Sequence, residues 1–241
     1  MYICSALCSG SDRGIQLFHE RKFTLARKYF ERAFHEDSTD HSSAFYLGRI
    51  FLIRDDYDKA VEWLEIAVRF NDRSSEYHRW LGRACGYNAQ DAFILKQPFL
   101  AKKTLKMFER AVELDPGNIE ARISLTHYFI KAPGFMGGGA EKAKKQVEEI
   151  RKRDANTWLL AQGIIDSKNE NYEKAEECLM KFLENAPAEN SSLVSDGHYE
   201  LGAVYEKQGR RELAIKEYEL SLQSNPDNKE AKAGLKKMKG A

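Results

Sequence analysis

Six histidines, four cysteines and a few carboxylate pairs are the residues of this chain with the greatest capacity for chemistry. His19, His35, His41, His78, His127 and His198 stand apart, with no HExxH and no paired spacing suited to a metal. Cys4 and Cys8 could share a helix face, but no CxxC or Cys/His cluster joins them to Cys85 or Cys178. Free thiols are therefore expected. No serine sits in GxSxG. Asp55–Asp56 and Glu148–Glu149 read as solvated charges of a turn and a helix face, not as general acid–base pairs. The glycine-rich GFMGGGAE lacks the Lys-Ser/Thr of a phosphate loop, and Glu141 would repel an anion at the helix start that follows. The expectation is a chain with no catalytic residue, no metal and no cofactor. An enzyme would need a site assembled from distant segments.

The elements that position these residues are helices. Ile, Val and Thr number only 13, 6 and 5 among 241 residues, and Ala, Leu, Glu, Lys and Arg are abundant. The 42% hydrophobic content is enough for a core, and no apolar run approaches the ~18 residues of a membrane span. Lys plus Arg is 38 against 37 Asp plus Glu, a net charge of +1. That balance argues against charge-driven binding to nucleic acid or membrane as the general mode, while leaving room for a local patch.

An internal repeat organises the chain. Small residues recur at Ala26, Ala60, Thr104, Ala143, Ala175 and Ala214. Four residues after each comes Phe30, Leu64, Phe108, Val147, Leu179 or Tyr218. A glycine precedes most of them, at Gly14, Gly48, Gly82, Gly163 and Gly202. Pro116, Pro187 and Pro226 close three of the units. Small residues let two helices approach, apolar neighbours at i+3 and i+4 form the buried stripe, and proline stops the second helix.

The segments AFYLGRIFLIRDDYDKAVEWLEIAV, MFERAVELDPGN and HYELGAVYEKQGRRELAIKEYELSLQSNPDN resemble the tetratricopeptide repeat family. The resemblance implies an all-α, right-handed solenoid of about six helical hairpins. Its repeats would be 7–40, 41–74, 75–118, 119–157, 156–189 and 195–228, with a cap helix at 229–239. It makes 7–241 a single domain behind a leader at 1–6. The apolar MYICSALCSG that contains this leader has two readings. It is either the back half of an export signal, placing the protein in the periplasm or outside the cell, or a frayed helical turn of a cytoplasmic protein.

Repeats three and four carry insertions, NAQDAFILKQP at 88–98 and APGFMGGG at 132–139. The second, with the RACGYNAQDAF text before it, is similar to a group of bacterial members of the family. Both hold apolar residues that a solvated loop does not need: Phe93, Ile94 and Leu95, then Phe135 and Met136. One reading packs the two loops on each other and on the edge of the array. The other makes them a lip over the groove that touches a partner or small ligand.

In the family, set positions of each first helix face the concave groove. Carried onto repeats two to four, these positions give an aromatic and cationic set: Tyr46, Arg49, Arg79, Trp80, Arg83, Tyr87, His127 and Lys131. Arginine forks match carboxylates, and Trp and Tyr supply rigid contact area. The competing reading is that the arginines pair with Glu76, Glu120 and other acids along the groove. The family's carboxylate clamp for chaperone tails is not matched, since repeats one to three offer Ser11, Ile15, Tyr46, Glu76 and Trp80 there.

The resemblance therefore implies a non-catalytic scaffold that binds a protein or acidic peptide in the groove of repeats two to four, and the balanced charge sets nucleic acid aside as a partner. The alternative is an anionic or amphiphilic small ligand under the inserted loops.

Overall fold

The computed structural model describes residues 10–187 and 191–240. Among them are thirteen α-helices, one 3-10 turn and no strand, the all-α architecture of a helical-repeat solenoid. The leader, Cys4 and Cys8 lie outside the described residues. Cys85 is a buried free thiol and Cys178 a half-buried one. The chain forms two compact units that divide between Ala121 and Arg122.

The first unit contains α1 (Gly10–His19), α2 (Phe23–Glu36), α3 (His41–Ile53), α4 (Tyr57–Phe70), α5 (Ser75–Asp91) and α6 (Gln97–Leu114). The boundary falls within α7 (Ile119–Lys131). The second unit holds α8 (Ala140–Arg151), α9 (Ala155–Lys168), α10 (Tyr172–Asn185), α11 (Ser191–Lys207), α12 (Arg211–Ser224) and α13 (Lys229–Gly240). Pairs α1–α2, α3–α4, α5–α6, α9–α10 and α11–α12 pack as antiparallel hairpins, and α13 packs on α12.

Caps fix the helix starts. Ser43 N–H donates to Asp40, Tyr77 N–H to Ser74, and Asn156 and Thr157 N–H to Asp154. The turns inside the hairpins repeat one motif. Lys22, Asp56, Asn171 and Arg210 each donate N–H to the carbonyl five residues back. The residue before each of them, Arg21, Asp55, Glu170 or Gly209, has positive φ. This is the left-handed C-terminal cap that ends a helix sharply.

Each hairpin closes where a glycine of the first helix meets a bulky residue of the second. A β-carbon at Gly14 would lie 2.6 Å from the Phe30 ring, at Gly48 2.5 Å from Leu64 Cγ, and at Gly82 2.6 Å from the Phe108 ring. Gly163 and Gly202 would meet Leu179 and Tyr218 at 2.7 and 2.8 Å. Phe30, Leu64, Leu179 and Tyr218 are fully buried, so the ring or branch has nowhere to retreat.

The first insertion is not the loop expected at 88–98. α5 runs on to Asp91 and α6 begins at Gln97, so only 92–96 is irregular. Helix formation continues because no glycine or proline interrupts 87–92, and Pro98 falls in the first turn of α6, where its missing N–H costs nothing. The second insertion is a locked loop. Gly139 N–H reaches Phe129 C=O, Gly138 N–H reaches Pro133 C=O, and the Tyr128 hydroxyl donates to Met136 C=O. A β-carbon at Gly138 would run into the carbonyl of Ala132, so backbone crowding rather than anion binding explains that glycine.

The glycine contact gives a direct test. Gly82→Ala should lose about 1–3 kcal/mol of stability in urea unfolding. Gly134→Ala, whose added carbon would meet nothing within 4 Å, should stay within about 0.5 kcal/mol of the parent.

Candidate functional site

Trp80 is the centre of a cluster on the face of the first unit formed by α1, α3 and α5. The Arg49, Arg79 and Arg83 guanidinium carbons lie 4.4, 5.1 and 4.7 Å from its ring centre. Helix periodicity produces this. Tyr46 and Trp80 each stand two residues before the hairpin glycine of their repeat, and Arg49 and Arg83 each one residue after it. Adjacent repeats thus present arginine and aromatic side chains in register.

The three arginines are held differently. Arg79 is 5% exposed and saturated with acids. Its Nε and Nη2 donate to both Glu76 oxygens at 2.9 and 2.7 Å, and Nη2 lies 2.8 Å from Glu120 Oε2. Trp80 Nε1 also donates to Glu76, at 2.6 Å. Burial pushes the Glu76 carboxyl up, but the bonds and charge of Arg79, with Trp80 and Arg49, outweigh it and leave the group below its ordinary range. For Arg79 the pairing reading is therefore the one observed.

Arg49 has no such clamp. Its guanidinium lies over Phe18 at 4.6 Å and Trp80 at 4.4 Å, with Phe45 and Tyr46 at 5.5 and 5.8 Å. Its Nε is buried without a hydrogen-bond acceptor. Burial pulls this arginine down to about 10, against the opposing effect of Tyr46 and Glu76. Ring faces attract a cation by about 2 kcal/mol or more when desolvated, but they offer its N–H groups no conventional acceptor. The site therefore has unused capacity for an anionic acceptor.

Tyr46 stacks on Phe30 at 5.1 Å, and Tyr87 on Tyr57 at 5.8 Å, so both serve packing. Phe18, which supplies one wall of the Arg49 site, comes from repeat one and was not among the expected groove residues. The aromatic at that place in α1 was its only sequence signal.

In the second unit, His127 Nε2 is 3.8 Å from Glu200 Oε1, and Lys131 is exposed. Burial pushes the Glu200 carboxyl up to about 7, Lys131 pulls it down, and Asp196 and Glu230 raise it further. Carrying the groove register on to repeat six would have singled out Glu200.

The packing expected of the inserted loops is not made. Phe93, Ile94, Leu95 and Phe135 are 70%, 68%, 80% and 83% exposed, and only Met136 is half-buried. Side chains this exposed are not sheltered by the packing of their own units. A cavity of about 270 Å³ does lie behind the second loop, lined by Phe129, Ile130, Ala143, Lys144 and Ile165 among others. Neither Phe135 nor Met136 lines it. No group of three or more His, Cys, Asp or Glu is placed to hold a metal among the described residues.

Residues 12–76, 160–189 and 195–228 each match a family described as tetratricopeptide repeat. The human protein O-mannosyl-transferase TMTC1 is 24% identical over 206 residues, covering 83% of this chain. The chain spans only 21% of that relative's length. A thermophilic tetratricopeptide-repeat protein of Thermus thermophilus superposes with a TM-score of 0.53 at 16% identity, over 96% of this chain and 98% of that one. The human IFIT1 dimer with m7Gppp-AAAA gives 0.62 at 17% identity, over 89% of this chain and 54% of that one. These structural likenesses speak for the fold.

The buried Glu200 makes stability depend on pH. Its folded pKa of about 7 exceeds the ordinary 4.5, so the protonated form stabilises the native state. That contribution is complete below about 4.5 and lost as pH rises through about 7. Between those limits, wild type should lose roughly 2 kcal/mol relative to Glu200→Gln in urea unfolding. Parallel pH profiles for the two proteins would contradict the assignment.

Proposed function

The chain belongs to the tetratricopeptide repeat family, and we propose that it is a non-catalytic scaffold whose first unit binds an acidic segment of a partner protein at the Trp80 cluster. The fold supports the broader part of this reading, since arrays of such repeats bind peptides and proteins. The observation that carries the finer part is Arg49, a guanidinium held by aromatic rings with a buried Nε that lacks an acceptor. A carboxylate arriving there would gain charge-assisted hydrogen bonds in a site already stripped of much of its water. Trp80 would supply rigid contact area beside it. Arg83, 4.7 Å from the Trp80 ring centre, adds positive potential that steers an acidic segment inward. Arg79 takes a supporting part, since its contacts to Glu76 and Glu120 tie α5 to the first turn of α7.

Binding should be measured against a library of ten-residue peptides, acidic and neutral, by fluorescence anisotropy. Acidic members should bind, and Arg49→Gln with Arg83→Gln should weaken them about tenfold or more with unchanged circular dichroism. Raising salt should weaken the wild type in the same direction. Equal affinity for neutral peptides, or an indifferent double variant, would defeat the reading.

A further inference from the structure

The tip of the α5–α6 hairpin presents four large apolar side chains to solvent within seven residues. Phe93, Ile94 and Leu95 are 70%, 68% and 80% exposed, and Phe99, in the first turn of α6, is 72% exposed. Isolated exposed apolar residues are ordinary, but a contiguous set of this size marks an interaction surface. It lies outside the Trp80 cluster, and the proposed scaffold function makes no use of it.

α5 ends on the exposed Asp91, and the chain that follows it through the tip is basic. From 92 to 108 the chain has no Asp or Glu and four lysines, Lys96, Lys102, Lys103 and Lys106, in a protein whose net charge is +1. Lys103 pairs with Glu65, while Lys96, Lys102 and Lys106 are exposed. Phe99, Lys102 and Lys106 follow i, i+3, i+7 spacing, so the lysines continue the line of the apolar tip along one face of α6.

Three hydrogen bonds hold the tip in shape. Lys96 N–H donates to Phe93 C=O at 2.8 Å, Gln97 Nε2 to Ala92 C=O at 3.1 Å, and Leu100 N–H to Lys96 C=O at 3.1 Å. The N–H groups of Phe93, Ile94 and Leu95 are not among these donors, so the tip suits the polar interface and not the hydrocarbon core.

We propose that this tip is a membrane-surface anchor, in which Phe93, Ile94, Leu95 and Phe99 enter the interface of an anionic bilayer while Lys96, Lys102 and Lys106 contact its headgroups. Side chains that project this far into solvent suit a fluid interface, which needs no preformed pocket. Apolar residues followed by lysines on one helix face are a composition that anionic interfaces hold. No helix among the described residues is long and apolar enough to cross a membrane.

The test is co-sedimentation of the full chain with vesicles of phosphatidylcholine alone and of phosphatidylcholine with phosphatidylglycerol. Wild type should bind the anionic vesicles and not the neutral ones, and lose that binding in high salt. Phe93→Ser, Ile94→Ser and Leu95→Ser together should reduce partitioning at least tenfold, as should Lys96→Glu, Lys102→Glu and Lys106→Glu together. Phe99→Ser alone should give a smaller loss. All these positions are exposed, and circular dichroism should show each variant folded. Failure of wild type to bind anionic vesicles would overturn the proposal, as would equal binding by the serine variant. Light scattering that shows a dimer broken by the serine substitutions, without vesicle binding, would assign the tip to self-association instead.

Discussion

In each of five hairpins, a helix backbone rests directly against a bulky side chain of the helix that follows. The space at Gly14, Gly48, Gly82, Gly163 and Gly202 is already occupied by Phe30, Leu64, Phe108, Leu179 and Tyr218. Such contact fixes more than the spacing of two helices. It sets the rotation of the first helix about its own axis, because only the glycine can face the intruding side chain. Every other residue of that helix then takes its direction from the glycine at about 100° per residue. Arg49 follows Gly48, and Arg83 follows Gly82. The packing contact and the proposed binding site are thus two sides of one helix, related by a rotation that the glycine sets.

The Trp80 cluster shows two ways of holding an arginine away from water. Arg79 is neutralised by two carboxylates and serves the fold. Arg49 lies among rings, keeps its charge less comfortably, and has its pKa drawn down to about 10 by burial. Removing a carboxylate from the first arrangement strands a buried charge. Adding one to the second relieves a charge already present. That asymmetry separates a structural arginine from one suited to a partner, although both sit on the same face of α5 and α3.

The repeat was legible because its signals are local and recur. Glycine, alanine and a bulky residue at fixed offsets report backbone approach, and six copies in phase fix the helical architecture. The division of labour among the arginines was not legible. The acid that completes the Arg79 clamp is Glu120, on another helix 41 residues away, and nothing in the periodicity distinguishes Arg79 from Arg49. Insertion 88–98 departs from the expected loop for a different reason. Its break from the repeat length was plain, but its residues favour helix, and most of the extra length went into extending α5 and α6. The apolar residues of both insertions were visible, and the inference that apolar means packed failed at Phe93, Ile94, Leu95 and Phe135. Hydrophobicity in a sequence reports what a residue avoids, and not whether the fold shelters it.

The central claim is that a hairpin-set register presents the Trp80 cluster to an acidic segment. It is tested most directly by the indole N–H resonances of Trp63, Trp80 and Trp158 during titration with an acidic peptide. The Trp80 indole proton is bonded to Glu76 beside three arginines, so it should report any carboxylate that enters. The account predicts a saturable shift of Trp80 that Trp63 and Trp158 do not share. A shift confined to either of the others, with Trp80 unmoved at saturation, would contradict it.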